Sequence, residues 1–342
     1  MSRLLDTYHR LTDRVRMRST AKAAILMYHR IADSDLDPWR LSVSPQHFAE
    51  HLEVVCQWAQ PLSLQQLAAA QRAGNVPPRA VAITFDDGYA NNLHNAKPLL
   101  EQYSVPATVF VTSGTLDAER EPWWDELEQV LLQPGPLPDT LSLTIGGSPR
   151  HWQLGKAAYY SEADRKSDHH LQAWHGRPNS RLEFYYSVWS ALKVLPAQQR
   201  QELQDEILAW ANACPYARET CRTLTRSELL NLEQGGLVEI GAHTVTHPSL
   251  PAHSLTAQRQ EIGRSKQDLE ACLKHPVTSF AYPFGDFDRN SLKAVQENGF
   301  SQACSTVQQP VWQGCDRFQL PRFEVQNWPR ETFQQKLNTW LK

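Results

Sequence analysis

The sequence predicts an α/β fold of parallel strands joined by helical crossovers, interrupted by one large, mostly helical insertion. Three observations predict it. Short apolar runs suited to buried strands alternate with segments whose apolar residues recur at helical spacing, at both ends of the 342-residue chain. Between about residues 115 and 235 that rhythm breaks. Acidic and histidine pairs fall where predicted strands end, the edge at which parallel sheets carry their functional groups.

The first strand is expected over 23–27, a helix over 45–58, and a buried strand over 81–85. A helix over 92–103 leads to the strand "VPATVFV", 105–111, opened by a proline. Within the break, "LSLTIGGSPRHWQL" reads as a hairpin turning at Gly146 and Gly147, and helices are expected over 124–133, 181–195 and 197–212. The alternation resumes with helix 227–234, strand 237–241, helix 256–273, strand 278–282, helix 290–298 and a strand near 300–305. Strand 320–325 and helix 331–341 close it. Removing the insertion leaves a core of the size of a compact α/β barrel. The expected organisation is one catalytic core from 1–114 and 236–342, with the strand at 23–28 completing it, and an inserted subdomain over 115–235 placed to act as a lid.

Composition narrows the function classes. With 34 Lys and Arg against 37 Asp and Glu, a formal charge of −3 and no long basic run, the chain lacks the electrostatic footprint of a nucleic-acid binder. The apolar run at 23–27 is too short for a signal-peptide core, and no stretch approaches the roughly 20 residues that span a bilayer. Arg3, Arg10, Arg14, Arg16 and Arg18 offer at most a peripheral contact with the inner membrane surface. Six cysteines form neither C-x-x-C pairs nor a dense framework, which reads as reduced thiols in a cytoplasmic protein.

The stretch "TFDDG" places Asp86 and Asp87 at the end of a predicted strand, followed by Gly88. In a strand they would point to opposite faces; where the strand ends and glycine frees the backbone, both turn into one pocket. Two acids there repel unless a cation sits between them or one holds a proton. "HTVTH" offers further ligands, His243 and His247, after another predicted strand. In extended chain they would lie roughly 13 Å apart, too far for one ion, so a single helical turn is expected to bring them onto one face, stopped by Pro248. One aspartate and two histidines leave a coordination position open, as catalytic sites do. Either motif alone is ambiguous; together, both at strand ends, they point to a metal centre.

"TFDDG", "HTVTH" and "AYPFG" together resemble the polysaccharide deacetylase (NodB homology) family, carbohydrate esterase family 4, over about 80–114 and 226–326, with "ILMYHRI" near the start. The resemblance implies a distorted, incomplete (β/α) barrel. It implies Asp86 as general base and Asp87, His243 and His247 as ligands of one divalent ion, Zn2+ in expectation, with the backbone N–H of Phe284 holding the oxyanion. Two departures from the family pattern stand out. Where the family has an arginine that pairs with the base, this chain has Ala281; Arg322, in "LPRFEV", is the candidate replacement. No histidine follows Val307 to act as the late general acid, and His29, at the end of the first strand, is the candidate in its place, in a permuted arrangement. Tyr282, Pro283 and Phe284 are expected to line the pocket, with Trp123 and Trp124 of "EPWWDELEQ" over its mouth. His169 and His170 form a decoy pair on a polar stretch.

The expected activity is therefore a metal-dependent carbohydrate deacetylase, hydrolysing the linear amide of an N-acetylated sugar unit, free, nucleotide-linked or lipid-linked, in polysaccharide or glycoconjugate assembly. The alternatives are deformylation or deacylation of a small or lipid-linked amide on the same site, and a non-catalytic sugar-binding module. The intact set of base and ligands argues against the last.

Overall fold

The structure is a computed structural model that describes residues 22–214 and 216–342, so the arginines at 3–18 lie outside the described residues. Seven parallel strands form the main path of the sheet: β1 (Ala24–Tyr28), β2 (Ala80–Phe85), β3 (Ala107–Val111), β4 (Val238–Ala242), β5 (Ser279–Ala281), β6 (Gln302–Cys304) and β7 (Phe323–Glu324). Their spatial order is β6-β5-β4-β3-β2-β1-β7, and Gln60–Pro61 adds a short strand beside β2. Every residue of β1, β2 and β3 is buried, as expected of a parallel sheet covered on both faces. The sheet curls: Leu320, three residues before β7, bridges to Cys304 of β6, so the segment leading to one edge strand meets the other. The result is the distorted, incomplete barrel expected.

The helices follow in chain order: α1 (Pro45–Trp58), α2 (Leu64–Ala73), α3 (Lys97–Tyr103), α4 (Trp123–Leu131), α5 (Glu162–Asp168), α6 (Arg181–Lys193), α7 (Ala197–Trp210), α8 (Arg226–Glu233), α9 (Leu255–Leu273), α10 (Arg289–Glu297) and α11 (Arg330–Trp340). Their starts are written in the sequence. Ser44 Oγ accepts from His47 N ahead of Pro45, and Thr225 with Glu228 makes a capping box for α8.

Alternation along the strands divides the core into two faces. Leu26, Tyr28, Val81, Ile83, Phe85 and Val109 point outward into the helix-covered cluster. Ile25, Ala82, Phe110, Ala281 and Cys304 point inward. Burying a Leu or Phe in either cluster contributes about 1.5–3 kcal/mol. Leu64, Leu67 and Ala68 of α2, a helix the sequence reading does not anticipate, also join the inner cluster.

The remaining apolar residues, from Trp123 to Leu208, form a separate cluster with Leu36. It includes the expected hairpin, Thr140–Ile145 paired with Ser148–Gln153. Leu224, Leu229 and Leu232, within the 115–235 span, pack in the barrel core instead. All six cysteines are free, and among the described residues no helix is long and apolar enough to cross a membrane.

Candidate active site

The inward face of β2 runs Ala82, Thr84, Asp86, so the strand's own period carries the first acid to the barrel mouth. Asp87 adopts φ 73° and Gly88 φ 72°, a left-handed pair that turns the second acid back toward the same mouth. A Cβ on Gly88 would sit 3.1 Å from Val111, so close packing as well as φ favours glycine there.

Asp86 and Asp87 are both buried, and the repulsion between them is resolved differently at each. Arg322, fully buried, donates from both terminal nitrogens to the two oxygens of Asp86, each at 2.7 Å. It also donates to Thr84 Oγ1 at 3.1 Å and, from Nε, to the Ser305 carbonyl at 3.0 Å, so the guanidinium is well satisfied. Burial pushes the Asp86 carboxyl up, but Arg322 and His243 outweigh it and hold the group at about 2. Asp87 instead faces two imidazoles. Its Oδ1 lies 3.5 Å from His243 Nε2 and 3.4 Å from His247 Nε2.

Those separations are long for hydrogen bonds. They match the roughly 3.4 Å edge of a tetrahedron with metal–ligand bonds of about 2.1 Å. The donor set fits a divalent cation in other respects. His243 Nδ1 donates to the Ala281 carbonyl at 2.8 Å, which fixes the tautomer that leaves Nε2 free to ligate. Burial, then His243 nearby, hold His247 well below its ordinary pKa, in the neutral form a metal requires. Among the described residues this trio is the only cluster with such ligand spacing. His169 and His170 form no such set.

The two histidines do not share a helical turn. Thr244 (φ 65°) and His247 (φ 54°) are left-handed, and the loop between them is a bend in which His247 N donates to Thr244 Oγ1 at 3.1 Å. External partners stabilise this shape: Glu261 of α9 accepts from Val245 N and Thr246 N at 2.9 Å each, and Arg200 of α7 donates to the Thr246 carbonyl at 2.6 Å. Trp124 packs against His247 with ring centroids 4.4 Å apart. Its Nε1 donates to Tyr89 Oη, Tyr89 donates to Asp125, and Asp125 accepts from Arg30. The segment between β3 and β4 thus supports the ligand loop directly, from α4 and α7.

These groups open into a cavity of about 420 Å³. His29 lines it, just past the end of β1, and so do Trp124 and Phe284. Trp123 does not; it is buried, stacked on Trp189 under the guanidinium of Arg200. Nor do Tyr282 and Pro283. Tyr282 alternates outward from Ala281, packs on Phe280 and Phe287, and donates to the Phe318 carbonyl, so the expectation that it lines the pocket is corrected by the strand's period. Phe284, at φ 58°, turns back to the cavity, and a Cβ on the following Gly285 would collide with Thr306. Sequence reasoning missed Trp39, Trp174, Trp189, Lys193 and Glu324, which also line it. Only Glu324 carried a readable signal: two residues beyond Arg322 on one strand, it shares the inward face.

The polysaccharide deacetylase family model matches residues 73–134 and 201–303, which include both acids, both histidines and Phe284 but neither His29 nor Arg322. A Bacillus subtilis protein assigned to the polysaccharide deacetylases, YxkH, is 32% identical over 108 residues, 30% of this chain and 36% of that protein. A Staphylococcus aureus poly-beta-1,6-N-acetyl-D-glucosamine N-deacetylase is 36% identical over 58 residues, 17% of this chain and 20% of that one. The chain thus spans about a third and a fifth of the lengths of these relatives. Two solved structures share the fold across nearly all of both chains. One is the Streptococcus pyogenes deacetylase PplD in complex with acetate, with TM-score 0.57, 17% identity and coverage of 95% of this chain and 100% of that one. The other is IcaB from Ammonifex degensii, with TM-score 0.56, 16% identity and coverage of 94% and 98%. On the motifs and the family match, this chain is similar to the polysaccharide deacetylase family over residues 73–134 and 201–303, and it shares the barrel of these solved structures.

Proposed function

We propose that the protein is a metal-dependent hydrolase that removes the N-acetyl group from an amino-sugar unit of a polysaccharide or glycoconjugate intermediate, with Zn2+ as its ion. One observation carries the reading. A carboxylate locked in its ionised form by a buried arginine stands beside three side chains at metal-ligand spacing, in one cavity. A sugar-binding module has no use for that pairing.

When bound by Asp87, His243 and His247, a divalent ion supplies Lewis-acid polarisation of the acetamide carbonyl and acidifies the attacking water. Asp86 takes that water's proton as the new carbon–oxygen bond forms; a carboxylate held near 2 is a weak base, suited to a water already made acidic. The backbone N–H of Phe284, a residue that lines the cavity, is assigned the developing oxyanion. His29 gives a proton to the departing nitrogen as the carbon–nitrogen bond breaks, leaving acetate and a free amine. Arg322 keeps Asp86 charged and oriented throughout.

Acetate release from N-acetylglucosamine oligomers, measured before chelation, after it and after Zn2+ is restored, tests this. Metal-reversible release is expected. A metal-loaded protein that binds sugar and frees no acyl acid would establish the binding-module alternative instead.

A further inference from the structure

The two histidine ligands are held by different means. His243 donates from Nδ1 to the Ala281 carbonyl at 2.8 Å, the outer hydrogen bond that ordinarily fixes a ligating imidazole. His247 is buried, and its Nδ1 has no partner among the described residues. Without that bond, nothing but packing stops the ring from turning about χ2, a torsion with a broad, two-fold profile. Two rings supply the packing: Trp124 at a centroid distance of 4.4 Å, tilted by 47°, and Phe284 at 4.4 Å, edge-on at 68°. The orientation of His247 therefore depends on what holds its neighbours.

Trp124 is held by hydrogen bonds that lead away from the metal site. Its Nε1 donates to Tyr89 Oη at 2.8 Å, Tyr89 donates to Asp125 Oδ2 at 2.6 Å, and Arg30 donates to Asp125 Oδ1 at 3.0 Å. All four residues are buried. Tyr89 Oη both accepts and donates, and both Asp125 oxygens are taken, so the indole cannot turn without stranding a buried donor and its acceptor. The path also joins the segments that carry the site. Tyr89 lies two residues after the ligand Asp87, Arg30 follows His29, and Trp124 and Asp125 stand in the first turn of α4.

We propose that Tyr89 and Asp125 are positioning residues of the metal site: by locking the Trp124 indole they orient the ligand His247, in place of the outer hydrogen bond that His247 lacks. Neither residue lines the cavity, so both act through Trp124. The proposal rests on the metal-dependent reading, and metal uptake by the wild type separates the two.

Zn2+ affinity is measured by competition with a chromogenic chelator, and the ligand field by visible absorption of the Co2+-loaded protein. The proteins compared are the wild type, Tyr89→Phe, Trp124→Phe, the double variant and Tyr160→Phe. Tyr160 donates to the buried Asp168 at 3.0 Å, a bond of the same kind in the same inserted segment but away from the cavity, so its variant controls for lost stability. Tyr89→Phe and Trp124→Phe each break the bond between the two residues and keep an aromatic ring in place. Each should weaken Zn2+ binding about 10- to 100-fold and move the Co2+ bands, with kcat for acetate release falling more than KM rises. The double variant should lose no more than the worse single one, because the same bond is broken in all three. Trp124→Phe leaves the bonds among Tyr89, Asp125 and Arg30 intact, so it reads the tether even where Tyr89→Phe folds poorly. Tyr160→Phe should melt at lower temperature with affinity and spectrum unchanged. Wild-type affinity and bands in the two single variants, additive losses in the double variant, or an equal loss in Tyr160→Phe would overturn the positioning role and leave the metal site standing. A wild type that takes up neither ion overturns both.

Discussion

Replacing Arg322 by alanine gives the sharpest test of how the base is tuned. In the native protein Asp86 is held at about 2 against an ordinary value of 3.8, a difference that contributes about 2 kcal/mol to stability at neutral pH. The sign follows from the depressed value: the contribution is fully present above the ordinary pKa and is lost as pH falls through about 2. In Arg322→Ala burial, which raises the Asp86 pKa, is opposed only by His243 and His29, so the value rises. The folded state then carries a buried carboxylate without its partner, which costs roughly 3–5 kcal/mol if it stays charged. The Ser305 carbonyl and Thr84 Oγ1 also lose a donor. The variant should melt at lower temperature, lose at least about 10² in kcat with little change in KM, and show the acid limb of its kcat/KM profile displaced to higher pH. Steady-state acetate release across pH 4–9, with thermal melts on the same samples, reads all three. Wild-type kcat with an unmoved acid limb would refute the reasoning, because a structural arginine lowers stability without shifting the profile.

Purified protein should carry about one divalent ion per chain, lost in Asp87→Ala, His243→Ala and His247→Ala but retained in an inactive Asp86→Asn; elemental analysis showing a fully loaded Asp87→Ala would sink the ligand assignment. Arg200→Ala frees the Thr246 carbonyl between the two histidines and should weaken metal affinity about 10- to 100-fold, as loss of an orienting contact does, measured by competition with a chromogenic chelator on folded protein. Unchanged affinity would make Arg200 a packing residue only. His29→Ala should fold, keep its metal and lose roughly 10² to 10⁴ in kcat; retention of wild-type turnover would move the proton donor elsewhere.

The parts of this molecule legible in its sequence are those in which chemistry and backbone period coincide. "TFDDG" and "HTVTH" announce themselves because charged or ligating pairs seldom follow strand-like runs without a reason, and the strand ahead of the first is apolar but for one threonine. The geometry between His243 and His247 was not legible, because it is imposed from outside by Glu261 and Arg200. Helix α2 escaped notice because its LQQLAAAQRA carries few large apolar residues. The aromatic lining of the cavity was invisible for a different reason. Trp39, Trp174 and Trp189 come from three separate elements, and no spacing along the chain encodes their meeting.

Ala281 shows how a departure in sequence becomes sense in packing. A side chain at that position points to the inward face with Phe110 and Cys304. Arg322 enters the same interior from the closing edge of the barrel, its guanidinium 5.6 Å over the Phe110 ring and its Nε on the Ser305 carbonyl beside β6. The interior is close-packed, so two arginines cannot share that volume without displacing Phe110 or the Asp86 carboxylate. A methyl group at 281 is therefore the complement of an arginine at 322. The same position serves the metal set through its backbone, since the Ala281 carbonyl orients His243 whatever side chain it bears. The base's partner can thus move from one strand to another while the ligand's partner stays in place. It follows that Ala281→Arg in a background of Arg322→Ala should restore part of the lost turnover, whereas Ala281→Arg alone should destabilise the barrel by overpacking. Thermal melts and acetate release on the four members of that cycle measure both, and additive losses in the double variant would show that the two positions do not share one volume.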